Sequence, residues 1–538
     1  MKAAGVLLLA ALAAVAVGGD LLVRAELKSD ADIEIAAASG GGFLQRFDGW
    51  FLARVNTDDL PALSDRLNCR VLDADIEAKR YVFAYVEPGF DRQRFAGCGT
   101  VLTEDREGVL LRVTEDGIKK LNRLPAELCG ISTEPVRFSS TPGPSSLALR
   151  PVTPSTASDS LIWELMARAS QDSAEAVLRR LIAFGTRYAY TESCWSAARW
   201  FQSELAAYGC DTTYLDTFEP ALGPNIVGVK YGQVNPNHIY ILCGHIDNTS
   251  EIPETFAPGS DDNASGAGLV LEAARMFQGV QFDYTVWFIG FGGEEQGLVG
   301  SDTFARQCRL RGDTIVLTIN HDMNSYGTAG RDSIRVVGKR SNPPCSTWVE
   351  YYMAMADTFT DLKCHREIVD EQSSSDQASF WKYGYTAIRD RYLDRDPVYH
   401  TTGDTIGPFE YYMCGTNNIP MYTEAIKATV ATVARLAGAH AETTGVAESR
   451  PEPKRATVSV LPTVGRAPVL VRLSSAYSRV SIYDASGRRI RVLAEPQSLL
   501  PSPYSLTWDG RDFSGAAASP GVYYFRATAA SARFVLAE

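Results

Sequence analysis

The run Ile239-Tyr240-Ile241-Leu242-Cys243-Gly244-His245-Ile246-Asp247 sets a continuous apolar stretch directly against an imidazole and a carboxylate. An unbroken apolar run of this length reads as a strand buried on both faces. The imidazole and carboxylate then lie at the carboxyl end of the strand, where open α/β sheets gather their ligands. The pattern recurs downstream. Thr285-Val286-Trp287-Phe288-Ile289-Gly290-Phe291 ends in Gly292-Gly293-Glu294-Glu295-Gln296-Gly297, and Ile315-Val316-Leu317-Thr318-Ile319 runs into Asn320-His321-Asp322-Met323. Around these strands, Leu161 to Phe184, Trp195 to Tyr208 and Ala267 to Phe277 carry helical patterns, and Asn225 to Val229 a further strand. The fold class predicted is α/β, with a mixed, mostly parallel sheet flanked by helices.

The turns at these strand ends hold residues of metal-ligand type: His245, Glu295 and Asp322. Two more stand in polar loops, Asp262 in Pro258-Gly259-Ser260-Asp261-Asp262-Asn263-Ala264-Ser265-Gly266 and His400 in Tyr399-His400-Thr401-Thr402-Gly403-Asp404-Thr405. Imidazole mixed with carboxylate suits zinc without any cysteine. Asp247, two residues past His245, can return to the same side and fix the ring's tautomer through its second nitrogen. Of the paired glutamates, one can bind metal while the other moves protons. His238, His365 and His440 read as structural histidines, and His321 should face away from Asp322 because side chains alternate along a strand.

In order and spacing, the blocks Gly-His-Ile-Asp, Pro-Gly-Ser-Asp-Asp-Asn-Ala-Ser-Gly, Gly-Glu-Glu-Gln-Gly-Leu-Val-Gly-Ser, His-Asp-Met and Tyr-His-Thr-Thr-Gly-Asp-Thr resemble the co-catalytic di-zinc peptidases. That family includes bacterial leucyl aminopeptidase, aminopeptidase S and glutamate carboxypeptidase, and the likeness runs from Leu161 to Leu436. The resemblance implies two zinc ions bridged by Asp262, with His245 and Asp322 completing one site and Glu295 and His400 the other. It implies Glu294 as general base and Asp247 as the partner of His245. A water shared by two such ions would ionise near neutral pH, since one zinc lowers the pKa of bound water to about 7. In Ser374-Ser375-Asp376-Gln377-Ala378-Ser379-Phe380-Trp381, glutamine stands where relatives often have histidine. The expected activity is a zinc metallo-exopeptidase, foremost an aminopeptidase acting on peptides or proteins. Carboxypeptidase or dipeptidase action stays open, because Arg389, Arg391 and Arg395 precede His400 and arginines favour a free carboxylate. The other readings are a single-zinc relative of the glutaminyl cyclase kind and a noncatalytic binding protein.

The rest of the chain surrounds this domain. Its 538 residues exceed one ordinary core, and a net charge of -12 with no basic stripe excludes nucleic acid as the expected partner. Met1-Lys2 followed by the apolar Gly5 to Val17 reads as a signal peptide within residues 1–25, cleaved near Gly18-Gly19 or after Ala25, and so predicts a secreted or cell-envelope protein. Ten cysteines permit disulfides after export. Cys345 with Cys364, or Cys194 with Cys210, could close short loops, whereas Cys243 reads as a free core thiol. Residues 26–138 form an expected α+β module, propeptide-like or accessory. Within it, Phe51 to Leu60 is echoed by Val109 to Ile118, each a strand leading into a helix. A Ser/Thr/Pro-rich linker spans 139–160, the peptidase domain 161–440 and a second linker 441–455. Short alternating strands then fill 456–538, including Val469 to Leu473, Arg479 to Asp484 and Gly521 to Ala527, and predict a β-sandwich. Ile482 to Arg488, Trp508 to Asp512 and Ser519 to Tyr523 resemble immunoglobulin-like modules of exported bacterial proteins, of the flagellar hook-capping and secretion-sorting types. That resemblance implies contact with a cell surface or secretion machinery.

Overall fold

A computed structural model describes residues 19–29, 31–135, 156–327, 332–369, 374–393, 396–406 and 417–441. In the C-terminal unit it describes 458–461, 464–465, 469–473, 480–484, 489–494, 504–512, 516–527 and 530–536. The expected leader up to residue 18, most of both linkers, Arg395 and the turn at Ala485-Ser486-Gly487 lie outside these residues.

The first compact unit, Met1–Glu442, contains the N-terminal module together with the central domain. The module's strands are β1 (Asp20–Glu26), β2 (Gly42–Phe47), β3 (Trp50–Asn56), β4 (Cys69–Ala74), β5 (Arg80–Tyr85), β6 (Gly99–Glu104), β7 (Gly108–Val113) and β8 (Glu127–Ile131). They form two four-stranded sheets ordered β2-β3-β1-β4 and β6-β7-β5-β8. Each sheet therefore runs second, third, first, fourth. The faint sequence echo is a repeated topology, and in each half the third strand feeds a helix, Leu60–Ser64 or Glu115–Leu121. Thr114 caps the latter by accepting from the Gly117 amide at 3.2 Å. Strand β1 overlaps the end of the expected leader and pairs on both sides, with β3 and β4. Cleavage after Ala25 would remove a central strand, whereas cleavage near Gly18-Gly19 leaves it whole.

The central domain adds β9 (Thr212–Asp216), β10 (Asn225–Lys230), β11 (Asn235–His245), β12 (Val280–Phe282), β13 (Tyr284–Phe291), β14 (Thr314–His321), β15 (Ser333–Lys339), β16 (Lys363–Val369) and β17 (Ala387–Tyr392). All but β12 join one eight-stranded sheet, ordered β16-β15-β17-β14-β11-β13-β10-β9. Its middle strands β13, β11, β14 and β17 are parallel neighbours, and β9, β10 and the β15–β17 junction are antiparallel. The apolar run of β11 is thus the centre of a mixed sheet, buried on both faces. Tyr240 and Leu242 face one apolar cluster, while Ile239, Ile241 and Cys243 face another. The second cluster continues into the module through Leu22, Phe47, Trp50, Phe83, Cys129 and Ile131.

The long helix expected over Leu161 to Phe184 is two helices, Thr156–Met166 and Gln171–Ile182, and the first begins inside the span assigned to the linker. Ser170 interrupts them, its hydroxyl accepting from the Ser173 amide at 3.3 Å. An N-cap serine offers the backbone an alternative to continued helix. Every cysteine among the described residues is a free thiol, so neither Cys194–Cys210 nor Cys345–Cys364 is bridged. No helix among the described residues is long and apolar enough to cross a membrane.

The second unit, Thr443–Glu538, carries one three-stranded and one five-stranded sheet, as a sandwich requires. Val480–Asp484 pairs with Gly521–Ala527, and Trp508 is fully buried against Tyr523 and Phe525.

Candidate metal centre

The carboxyl ends of β11, β13 and β14 meet the loops bearing Asp262 and His400, and all five expected ligand side chains are buried together. Asp262 lies between the two imidazoles: its Oδ1 is 3.3 Å from His245 Nε2 and its Oδ2 is 3.0 Å from His400 Nε2. His245 Nε2 also stands 3.6 Å from Asp322 Oδ1, and His400 Nε2 3.0 Å from Glu295 Oε2. Donor atoms of His245, Asp262 and Glu295 lie within 4.8 Å of one another, and so do those of His245, Glu294 and Asp322. Glu294 is the most accessible of the group.

These donors fit zinc on physical grounds. Glu295 Oε1 and Asp322 Oδ1 are buried without a hydrogen-bond partner. Asp247, Asp262, Glu294, Glu295, Asp322 and Asp376 crowd around two imidazoles, and Arg389 is the guanidinium in contact, its Nη2 3.0 Å from Asp322 Oδ2. So many buried carboxylates are costly unless cations compensate them. Divalent metal ions held by these residues would supply that charge. In the protein alone the strain appears as shifted proton affinities. Burial pushes the Glu295 carboxyl up to about 7, with Asp262 adding to it against His400. Burial likewise lifts Glu294 well above the carboxylate range, aided by Glu295, Asp376 and Asp322. For His245 and His400 burial acts to lower the pKa, but the carboxylates around them outweigh it and raise both.

Local structure holds these candidate ligands in place. His245 Nδ1 lies 3.1 Å from the Asp247 main-chain carbonyl and 3.8 Å from its carboxylate. Asp247 thus orients the ring through its backbone, and its carboxylate accepts from the Glu294 and Glu295 amides at 3.1 and 3.2 Å. Asp404 grips the bridging turn, its two oxygens accepting from the Asp261 and Asp262 amides at 2.8 and 2.9 Å. Asp261 in turn accepts from the Ser325 amide and hydroxyl and from the Tyr326 amide. Gly266 allows the helix Gly266–Met276 to start against β14, since a Cβ there would stand 1.9 Å from the His321 carbonyl oxygen. His400 and Met323 hold left-handed backbone conformations, φ 57° and 61°, which non-glycine residues adopt chiefly where the surroundings impose them.

The structure also separates residues that the sequence left together. His321 turns away as expected, its Nδ1 2.7 Å from Asp390 Oδ1. Gln377 lines no part of the pocket; its side chain accepts from Asn320 and donates to the Ser374 carbonyl. Of the arginines ahead of His400, Arg389 borders the pocket while Arg391 points to Glu367 at 3.5 Å. Two contributors carried no sequence signal as site residues. Arg187, fully buried, donates to the carbonyls of Leu181, Ile246, Pro258 and Gly259 and so braces both the His245 and Asp262 turns. Tyr399 stacks on the His400 ring at 3.7 Å and borders the pocket, its phenol kept protonated by burial and nearby carboxylates.

Carboxylates and imidazoles gathered at the strand ends of such a sheet make a site suited to a divalent metal ion. Residues 225–417 match the family model described as Peptidase family M28, and residues 457–533 that of the FlgD Ig-like domain. Over residues 225–417 the chain is thus similar to peptidase family M28, and over residues 457–533 to the FlgD Ig-like domain. A probable zinc metalloprotease of Pyrenophora tritici-repentis is 28% identical over 190 residues, 31% of this chain and 44% of that protein. A probable leucine aminopeptidase of Arthroderma otae is 27% identical over 291 residues, 51% of this chain and 77% of that protein. The chain spans about half the length of the first of these relatives. Among solved structures, the Legionella pneumophila LapA aminopeptidase shares the fold with a TM-score of 0.51 at 18% identity, over 67% of this chain and 98% of that one.

Proposed function

We propose that the central domain is a two-zinc exopeptidase that removes residues from the amino end of peptides outside the cytoplasm. The observation that carries this reading is Asp262, which presents one carboxylate oxygen to the His245 side and the other to the His400 side. His245, Asp322 and Asp262 would hold one ion, and Glu295, His400 and Asp262 the other. When bound, the ions supply an acidified water and a Lewis acid for the scissile carbonyl. Glu294 takes the proton from the attacking water and passes it to the departing amine; its raised proton affinity suits a group that must carry a proton near neutral pH. Tyr399, protonated through that range, offers its hydroxyl to the carbonyl oxygen as negative charge develops there.

The amino-end preference is supported by the excess of carboxylates around the pocket and by the pairing of Arg389 with Asp322. A carboxypeptidase or dipeptidase is the second reading, because Arg389 still borders the pocket. Export rests on the sequence of Met1 to Val17, and attachment through the FlgD Ig-like domain on its family match. The deciding experiment uses aminoacyl anilides and peptides blocked at either end, with and without chelator. Glu294→Gln should keep its zinc and lose kcat by roughly a hundredfold or more. Turnover that is indifferent to chelation, or unchanged in Glu294→Gln, sinks the proposal.

A further inference from the structure

The pocket over the metal centre is closed by residues from the other end of the chain. Its walls include His245, Asp262, Glu294 and Glu295, and also Glu127 and Leu128 of the N-terminal module. The space left is about 10 Å³. That is about one water's worth, since a water needs roughly 10–15 Å³ on this measure, while pockets for small ligands run to several hundred. The closed site has no place for an amino-acid residue of a substrate.

The closure is anchored beside the catalytic turn. Strand β8 is an edge strand, paired through its register only with β5. On the other side the Gly130 amide donates to the Gly297 carbonyl at 2.8 Å, at the turn that starts from Glu294-Glu295. Just ahead of β8, buried Asn122 donates to the Glu295 carbonyl and accepts from Thr249 at its own carbonyl, 2.7 Å away. Arg123 pairs with Glu254 at 2.8 Å on the rim. Glu127 carries its charge toward Arg389, Tyr392 and Tyr399. The module thus places a carboxylate and an apolar side chain where a peptide end would have to enter.

We propose that the N-terminal module is a resident plug of the catalytic pocket, with Glu127 and Leu128 as the stopper, and that peptide access requires β8 to withdraw from the Gly293–Gly297 turn. This rests on the exopeptidase reading of the site. The competing arrangement is a permanent wall in which Glu127 helps to hold substrate. The two make opposite predictions for removing the side chains.

The test uses the full-length zinc-loaded chain, its Glu127→Ala/Leu128→Gly variant and its Arg123→Glu variant, the last changing only a rim pair. Two readouts are taken besides peptide turnover: affinity for leucine hydroxamate, and the rate at which a chelator strips zinc. The stopper variant should bind hydroxamate at least tenfold tighter and release zinc at least tenfold faster, with a several-fold change in Arg123→Glu. Proteolytic release of the module at a site inserted between residues 139 and 155 should give the largest gain. Unchanged or weaker hydroxamate binding in both variants, or loss of binding on release, overturns the plug while leaving the peptidase reading intact. A full-length chain that binds no zinc refutes that reading and the plug with it.

Discussion

Replacing Arg187 should damage the protein more than replacing any of the proposed metal ligands. Its guanidinium reaches four main-chain carbonyls at 2.8 to 3.1 Å, two of them, Pro258 and Gly259, at the start of the Asp262 turn. In Arg187→Met a side chain of similar bulk fills the space, so the loss is of hydrogen bonding. Each buried carbonyl left unpaired costs about 1–3 kcal/mol, or roughly 4–12 kcal/mol for the group of four if none is rehydrated. Against this stands relief of the buried charge. Burial lowers the Arg187 pKa from the ordinary guanidinium range to about 10, which at about 1.4 kcal/mol per pKa unit offsets roughly 3 kcal/mol. The expected net loss is a few kcal/mol, large for a single substitution. Zinc affinity should fall by ten- to a hundredfold as the bridging turn loosens. Arg187→Lys, a single-point donor, should recover only part. Urea unfolding of the metal-free protein gives the first quantity and competitive zinc titration the second. If Arg187→Met unfolds within about 1 kcal/mol of the parent and titrates identically, the brace is not what the geometry says it is.

The same structure fixes three further outcomes. Gly266→Ala should not accumulate as folded protein, because its Cβ collides with main chain of β14; a soluble variant with a parental melting temperature would contradict this. In the module, Asp73 is reached by Lys79 at 3.0 Å, Tyr81 at 2.9 Å and Arg112 at 3.0 Å, joining the two sheets. Burial pushes its carboxyl up, but these bonds and the Ala74 amide outweigh it and hold it below the usual range. The stability it confers is therefore complete above the unfolded pKa and lost as pH falls through the depressed value. Asp73→Asn should cost about 1–2 kcal/mol at pH 7, moderated by partial exposure of the cations, with the gap closing in unfolding curves once the pH falls below the ordinary carboxylate range. Zinc at a thousandfold excess over its Kd should stabilise the metal-free protein by about 4 kcal/mol, read as a rise in melting temperature. No rise would count against a preformed site.

The sequence makes a ligand legible when its side chain comes directly after a pattern. His245, Glu295 and Asp322 each close an apolar run, so a strand end could be placed and the residue with it. Asp262 and His400 lie in turns whose composition marks them. The residues that stayed hidden depend on contacts distant along the chain. Arg187 sits in Gly185-Thr186-Arg187-Tyr188, where nothing announces that carbonyls from three segments will converge on it. Asp247 is legible as the neighbour of His245, but its carboxylate serves the glutamate turn and its backbone serves the histidine. The split in the helix after Met166 turns on a serine cap that helical periodicity masks. The module's contact with the site joins residues such as Asn122 and Glu295, which no local reading can bring together.

The short loop from His400 to Asp404 has a consequence for how metal loads. One end of it supplies a ligand that faces Glu295, and the other end, four residues on, holds the backbone of the residue that faces both imidazoles. If the site holds two zinc ions as proposed, ordering that loop readies both positions in one event, and a chain that has not ordered it offers neither in finished form. Occupancy should then rise in a single cooperative step, with the first ion recruiting the second and little half-loaded protein at intermediate zinc.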